Sequence, residues 1–188
     1  MKKSIRINAA LAALVLALAA CDSEADVDLA PGVEDRSGDT LAEVLGDEAS
    51  ISAVSGLIAS TGVLGAFEGE ANYTLLAPSN TAIDALGADA AQMLTDESNG
   101  AIAAAVIREH MVPGLLTEDA IRSAVAANGG EVTMRTYGTG NVTFAQDGET
   151  LTVKGANGTT ANLTGGSIVA SNGSVLTIDT VLADTSAF

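Results

Sequence analysis

The sequence predicts an α+β fold from a change of periodicity and a set of turn signals. Over residues 40–128, apolar residues recur mostly every three or four positions, which is the spacing of amphipathic helices. After Gly130 they alternate with polar residues, as in strands with one buried face. The dipeptides Asp147-Gly148, Asn157-Gly158 and Asn172-Gly173 are typical of hairpin turns. Helices followed by strands indicate α+β with an antiparallel sheet or sandwich.

One apolar strand interrupts the helical half, and a helix follows it directly. The strand is predicted over Tyr73–Ala77, and Pro78 ends it because proline has no N–H to give to a sheet. Ser79 or Asn80 can then cap a helix by accepting a hydrogen bond from a first-turn N–H. Many α/β and α+β domains contain such a junction, so alone it identifies no family.

Four further helices and a final strand complete the prediction. The first helix begins with a capping box at Thr40–Glu43. The second covers Ser50–Thr61, and the third covers Asp96–Met111. The turn Pro113-Gly114 ends the third helix, and a short fourth helix follows that turn. The last strand is predicted over Val175–Leu182.

An apolar run near the N-terminus predicts a signal peptide over residues 1–20. Basic residues precede the run Ala9–Ala20, which as a helix would be about 18 Å long. This is too short for a bilayer core of about 30 Å, so a membrane span is not expected. The segment Leu18–Cys21 resembles the bacterial lipobox. Cys21, the only cysteine, is therefore predicted to carry lipid. An ordinary secretory signal with an incidental cysteine is the alternative.

Lipid on Cys21 would anchor the protein in a bilayer of the bacterial cell envelope, on the periplasmic or cell-surface side. Residues 21–39 are acidic and contain few large apolar side chains, which predicts a disordered tether. The whole chain has 8 Lys and Arg against 24 Asp and Glu, a net charge of −16. A surface of this sign repels phosphate backbones, so nucleic acid is not an expected partner.

Three blocks in order resemble the signatures of fasciclin (FAS1) domains. Tyr73–Leu86 is similar to their first signature, a strand followed by Ala-Pro-Thr/Ser and a helix. His110–Gly114 is similar to their central His-Val-Val-Pro-Gly segment, and Ile168–Leu182 resembles their second signature. The resemblance implies a domain over residues 40–184 with a tail at 185–188. It also implies a wedge-shaped β-sandwich flanked by helices, with the two signature strands paired near its centre.

The resemblance assigns structural roles to the motif residues, and the sequence departs from the family pattern at four positions: Leu76 and Ile83, where the family often has Phe, and Glu109 and Thr177. The motif residues are Ala77, Pro78, Ser79, His110, Pro113, Gly114, Asn172, Gly173, Ile178 and Asp179. Glu109 stands where animal adhesion members often have Tyr, and Thr177 replaces a frequent His. The missing Tyr-His pair argues against integrin-type adhesion.

No catalytic, metal or cofactor site is predicted, so the protein is expected not to be an enzyme. A single His and a single Cys cannot build a Cys–His or multi-His site. The carboxylate pairs Asp96-Glu97 and Glu118-Asp119 lie at helix starts, where the helix dipole explains them. His110 shares its helix face with Ile102, Val106 and Ile107. Its ring is therefore expected to be buried and to satisfy a carbonyl at the helix end.

The sequence therefore predicts a non-catalytic lipoprotein that displays one fasciclin domain. The domain would serve adhesion or would bind matrix, envelope polysaccharide or protein. A structural envelope protein that binds another protein is the first alternative. A small-ligand module or a hydrolase is the second. An apolar cleft with converging polar groups would favour a small ligand, whereas a large exposed apolar patch would favour a protein partner.

Overall fold

The computed structural model describes residues 31–69 and 71–183. The predicted signal peptide, Cys21 and the tail at 185–188 lie outside these residues. No helix in the described part is long and apolar enough to cross a membrane. The helices are α1 (Leu41–Asp47), α2 (Ser52–Ser60), α3 (Asn80–Asp84), α4 (Ala88–Thr95), α5 (Gly100–Glu109) and α6 (Glu118–Ala127). The strands are β1 (Val33–Arg36), β2 (Tyr73–Pro78), β3 (Met111–Pro113), β4 (Glu131–Arg135), β5 (Asn141–Asp147), β6 (Thr150–Lys154), β7 (Thr160–Ala170) and β8 (Gly173–Ile178).

The predicted α+β class is confirmed, but the sheet is mixed rather than antiparallel. Its strands lie in the order β3-β2-β8-β7-β6-β5-β4, and β1 adds to β7 outside this path. The pairs β2–β8 and β1–β7 are parallel. Periodicity reports which face of a strand is buried and not which way its partner runs, so the sequence could not give these directions. The two signature strands, β2 and β8, are paired as the resemblance implies.

The sandwich is one sheet that bends within β7. Strand β7 runs through 11 residues. Its pairing with β8 shifts register between Leu163 and Ser167. Gly166 lies in that interval with φ +73°, and a Cβ there would overlap the carbonyl oxygen of Gly32. The bend divides the strands between two packed faces.

Two apolar cores lie on opposite faces of the central strands β2 and β8. The first lies under α1, α2, α4 and α5 and contains, among others, Leu41, Ile58, Phe67, Leu75 and Ile107. The second lies inside β4–β8 and is covered by α6. It contains, among others, Leu76, Phe144, Leu151, Val153 and Leu176. Leu75 and Leu76 are adjacent in β2 and enter different cores, because successive strand residues point to opposite faces.

The domain begins earlier than the sequence predicted, so the predicted tether extends too far at its C-terminal end. Residues 33–36 were assigned to the disordered tether, but they form β1 and pair with residues 167–170 of β7. Arg36 binds Asp39 and Asp47, and Ser171 donates its backbone N–H to the Asp39 carbonyl at 2.8 Å. The pairing comes from β7, more than 130 residues away in the chain, so local composition could not indicate it.

Several helix boundaries also differ from the prediction. The capping box at Thr40–Glu43 is present. The predicted helix 96–111 starts instead at Gly100, after a short 3₁₀ turn. Helix α4 was not predicted, and only Leu94 of its side chains is fully buried. The last strand ends at Ile178 rather than at Leu182, and the residues after it leave the sheet to pack against α5.

Candidate functional site

The first group of motif residues holds the ends of β2 and β8 together. Ala77 and Pro78 pair with Thr177 and Ile178. The N–H of Ser79 donates to the Ile178 carbonyl at 2.9 Å. The Ser79 hydroxyl accepts from the N–H of Ala82 at 3.2 Å, which caps α3. The backbone of Ser79 therefore joins the strand pair while its side chain starts the helix.

Asn172 and Gly173 hold the opposite end of the same strand pair. Asn172 is 5% exposed. Its Oδ1 accepts from the N–H of Leu41 at 2.7 Å, and its Nδ2 donates to the carbonyls of Phe67 and Gly69 at 2.6 and 2.7 Å. Gly173 has φ +152°, and a Cβ there would overlap the Tyr73 carbonyl oxygen. One buried amide therefore joins three separate segments of the domain.

A buried hydroxyl pair holds the turn that begins where β3 ends, at Pro113 and Gly114. Pro113 is exposed at the end of β3, and Gly114 has φ +91°. The Thr74 hydroxyl donates to the Gly114 carbonyl at 2.7 Å and lies 3.0 Å from the Ser174 hydroxyl. The Ser174 hydroxyl in turn donates to the Leu116 carbonyl at 2.6 Å. These contacts attach the turn to β2 and β8.

His110 is buried and connects α5 to the end of the described chain. It is 3% exposed, and its Nδ1 lies 2.8 Å from the Val106 carbonyl oxygen. The Leu182 N–H donates to Nε2 at 2.9 Å. Because Nε2 accepts, the ring is neutral with its proton on Nδ1. Burial lowers the pKa of His110 below its usual value, since it disfavours the charged ring.

Asp179 is an exposed motif residue whose carboxylate also has a local partner. It accepts from the N–H and the Nδ2 of Asn162 at 2.8 and 2.7 Å. Partial burial would raise the pKa of Asp179, but these bonds and one from the Thr180 hydroxyl hold it below its usual value. The carboxylate thus fastens the end of β8 to β7.

The motif residues therefore build the frame, and none of them lines the candidate site. That site is a cleft of about 460 Å³ at one end of the domain, here called the α5 cleft. Its first wall is α5, and its second wall is the loop from Tyr137 to Gly140. Ala156 and Asn157 of the β6–β7 turn, with Leu182 and Ala183, complete its lining.

Glu109, at the end of α5, holds the second wall of the cleft in place. Its carboxylate accepts from the N–H of Thr139 at 2.7 Å, from the Thr136 hydroxyl at 2.9 Å and from the N–H of Gly140 at 3.2 Å. A Cβ at Gly138 or at Gly140 would press into this carboxylate. Both glycines are therefore required for the loop to close around Glu109.

The same contacts favour the charged form of Glu109. Burial alone would raise the pKa of this carboxyl group. The N–H of Thr139, the hydroxyls of Thr136 and Thr139 and the N–H of Gly140 together hold it below 4.5. The carboxylate is thus an internal anchor. A group held by four donors is poorly placed to act as a base.

Apolar groups, by contrast, remain open in the α5 cleft. Tyr137 is 44% exposed and Ile102 is 38% exposed. The sequence placed Ile102 on the buried face of the helix, and the structure corrects this. The Tyr137 ring is supported by an edge contact with Tyr73, with 5.2 Å between the ring centroids. The backbone N–H of Tyr137 donates to the Met111 carbonyl at 2.9 Å. The cleft thus presents a fixed, half-exposed ring.

The buried polar side chains in the described part of the chain already have partners. Every buried polar side-chain atom there has a hydrogen-bond partner. Within residues 31–69 and 71–183, no three His, Cys, Asp or Glu side chains come together in a way that could hold a metal ion. Within the described residues, the α5 cleft therefore combines an engaged carboxylate with open apolar side chains.

Sequence reasoning did not find the α5 cleft. Its lining comes from segments around residues 102–109, 137–140, 156–157 and 182–183, which only the fold brings together. Glu109 was noticed as a departure from the family pattern, and Tyr137 was not singled out. The pair of glycines around Thr139 was the one local signal, because closely spaced glycines often mark close backbone approach.

Comparison with known proteins agrees with this architecture. A family model described as "Fasciclin domain" matches residues 49–184. Among solved structures, the chain is similar to a FAS1 domain pair from the insect cell adhesion molecule Fasciclin I, with a TM-score of 0.70 at 13% identity. The match covers 80% of this chain and 52% of that one, so this chain spans about half the length of the insect structure. The comparison with curated proteins found no match.

Proposed function

We propose, from the premise that this chain belongs to the fasciclin domain family, that it is a non-catalytic binding module of the bacterial cell envelope. The module displays one fasciclin domain for adhesion, or for binding matrix, envelope polysaccharide or protein. The insect relative is described as a cell adhesion molecule, which is the same class of function. The ligand would enter the α5 cleft.

One observation carries the proposal: in the cleft, the Glu109 carboxylate is used internally and apolar side chains are open. Glu109 is engaged by the loop, whereas Tyr137 and Ile102 expose 44% and 38% of their surface. An aromatic ring held at the mouth of a cleft gives a ligand a large contact area, and little side-chain freedom is lost. Such a site is organised to bind before a ligand arrives.

The non-catalytic part of the proposal is supported by the state of the one histidine. A general base needs a free nitrogen within reach of a substrate proton. Both ring nitrogens of His110 are engaged, and the ring is 3% exposed. Two partly buried carboxylates with lowered pKa, Glu109 and Asp179, are likewise held by hydrogen-bond donors.

The anchoring part of the proposal is supported by the sequence Leu18–Cys21 and by the early start of the domain. Lipid on Cys21 would leave residues 22–32 as the link to β1, instead of the longer tether that the sequence predicted. As a flexible coil, a link of this length has an r.m.s. span of about 18 Å. The α5 cleft would then work close to the membrane surface.

Binding is tested by capture of envelope material with the full-length protein in detergent. Tyr137→Ala and Ile102→Ala should both reduce capture. The matched control is Leu115→Ala, because Leu115 is similarly exposed at 41% and does not line the cleft. Equal capture by all variants, at unchanged thermal stability, would show that the cleft is not the binding site. Turnover of ester, glycoside or peptide substrates, lost on changing one surface carboxylate, would overturn the non-catalytic part.

Anchoring is tested separately by metabolic labelling with a fatty acid. The wild type should be labelled, and Cys21→Ser should not be. Equal labelling of the two proteins would exclude Cys21 as the lipid site, and it would leave the proposal for the cleft unaffected.

A further inference from the structure

The positive charges of the described chain divide into two groups. Arg36 forms ion pairs with Asp39 and Asp47, and Arg122 forms one with Glu118. The remaining three cations, which form no ion pair with another described side chain, are Arg108, Arg135 and Lys154. All three are exposed. In a chain with a net charge of −16, three cations without such a pair call for a physical explanation.

One of these three cations lines the α5 cleft, and the other two each stand two residues before a segment of its lining. Arg108 lines it directly. Arg135 ends β4 immediately before the loop that forms the second wall, and Lys154 ends β6 immediately before the turn that contains Ala156 and Asn157. The strand pairing places both at the same end of the sheet, since Arg135 lies opposite Asn141 and Lys154 lies opposite Thr143.

The acidic residues of the same strands lie at the other end. The β5–β6 turn follows Asp147 and contains Glu149, and it is at the opposite end of these strands from Asn141 and Lys154. The carboxylate inside the cleft, Glu109, is occupied by N–H and hydroxyl donors of the loop. Positive charge is therefore concentrated at the cleft end of an otherwise acidic domain.

We propose that the α5 cleft binds a carboxylated polysaccharide, an inference that rests on the proposed function of the cleft. Arg108 lies in the cleft, and Arg135 and Lys154 lie on two strands at the same end of the sheet, so the three match a ligand whose negative charges recur along its length. One carboxylate on each sugar unit gives such a ligand. The exposed Tyr137 ring offers a flat apolar face on which a sugar ring can stack, and Ile102 extends the apolar contact.

The net charge of the protein gives this binding an unusual dependence on salt. At about 0.01 M salt the Debye length is about 30 Å, so the whole acidic surface repels a polyanion. At about 0.15 M it is about 8 Å, so distant carboxylates are screened and the contacts at the cleft remain. Affinity should therefore be highest at intermediate salt and should fall again at about 1 M, where the local contacts are also screened.

The experiment measures binding of the full-length protein in detergent to alginate, with dextran as the uncharged probe. Alginate should bind and dextran should not. Arg108→Gln, Arg135→Gln and Lys154→Gln should each weaken alginate binding by about two- to fivefold, the range for one exposed ion pair. The triple variant should weaken it by about tenfold or more, because the three sites lie on separate elements. Arg122→Gln is the control and should bind as the wild type does, because Arg122 donates to the Glu149 carbonyl in the β5–β6 turn, at the opposite end of the strands.

Any of these results would overturn the inference: alginate binding unchanged in a folded triple variant, equal binding of alginate and dextran, or a steady loss of affinity from the lowest salt upward. Equal or stronger binding of duplex DNA would show general attraction to polyanions rather than recognition of a sugar chain. Capture of envelope material that depends on Tyr137 but not on the three cations would overturn this inference and leave the proposed function standing.

Discussion

Replacing His110 with phenylalanine tests how the fold is held together next to the α5 cleft. Phenylalanine keeps a flat ring of similar size and removes both ring hydrogen bonds. The Val106 carbonyl and the Leu182 N–H then lose their partner inside the protein. Leu182 lines the cleft, so the perturbation reaches the proposed site through the backbone.

The expected loss follows from these two groups. Leaving one buried polar group unpaired costs about 1–3 kcal/mol, so two groups cost about 2–6 kcal/mol. His110→Ala should be less stable still, because it also removes ring volume next to a void of about 20 Å³ that His110 already lines. The sequence suggested a single carbonyl partner, and the second partner raises the expected loss.

His110 also gives stability a pH dependence with a definite sign. Its pKa is lowered in the folded protein, so the unfolded chain takes up a proton first as the pH falls below 6.5. The contribution of His110 is complete above 6.5 and is lost as the pH falls toward the folded pKa. The maximum slope is about 1.4 kcal/mol per pH unit. His110 is the only histidine in the chain, so few other groups titrate in this window.

The assay is urea unfolding of the wild type and His110→Phe at about pH 7.5 and about pH 5.5. The wild type should lose stability on acidification, and the variant should lose less. Carboxylates contribute equally to both proteins, so the difference between the two proteins isolates the histidine. A phenylalanine variant as stable as the wild type, or equal pH dependence in both, would refute the reasoning.

Two further predictions concern the other anchors. Asn172→Ala should lower the free energy of unfolding by about 1–3 kcal/mol for each buried backbone group left unpaired, as measured by denaturant unfolding. The control, Asn128→Ala, changes an exposed residue and should have a much smaller effect. Equal losses would contradict the anchoring role of Asn172. Glu109→Gln should speed amide hydrogen exchange in residues 138–140. The ionised Glu109 stabilises the wild type above about pH 4.5, and this contribution is lost as the pH falls through its lowered pKa. The variant should lack this contribution to stability. Unchanged exchange in the loop would show that the carboxylate does not hold it.

Most of the frame was predictable because its signals are local. The capping box at Thr40, the cap at Ser79 and the hairpin turns after Gly130 depend on residues close in sequence. The resemblance supplied the pairing of β2 with β8, which no local signal contains. It did so because the two signature blocks occur together in the family, and the structure confirms that their strands pair.

What the sequence missed depends on distant partners or on small side chains. The segment Val33–Arg36 contains one apolar residue, and it becomes a strand because β7 offers it an edge. Helix α4 is rich in alanine and buries only Leu94 fully, so its apolar pattern is weak. The α5 cleft is assembled from four segments, and a periodicity argument has no means of placing them together.

The contacts of Glu109 explain why this end of the domain has to be considered as one unit. In a family where Tyr often occupies this position, the carboxylate instead closes the loop after β4, and an aromatic side chain is supplied by Tyr137 from that loop. The loop closes only because Gly138 and Gly140 have no Cβ to press into the carboxylate. Substituting Glu109 by Tyr alone would therefore remove the anchor that positions Tyr137. Gly138 and Gly140 would then no longer be needed to make room for a carboxylate. The proposed binding surface thus depends on a charged anchor, two glycines and one ring that are required together.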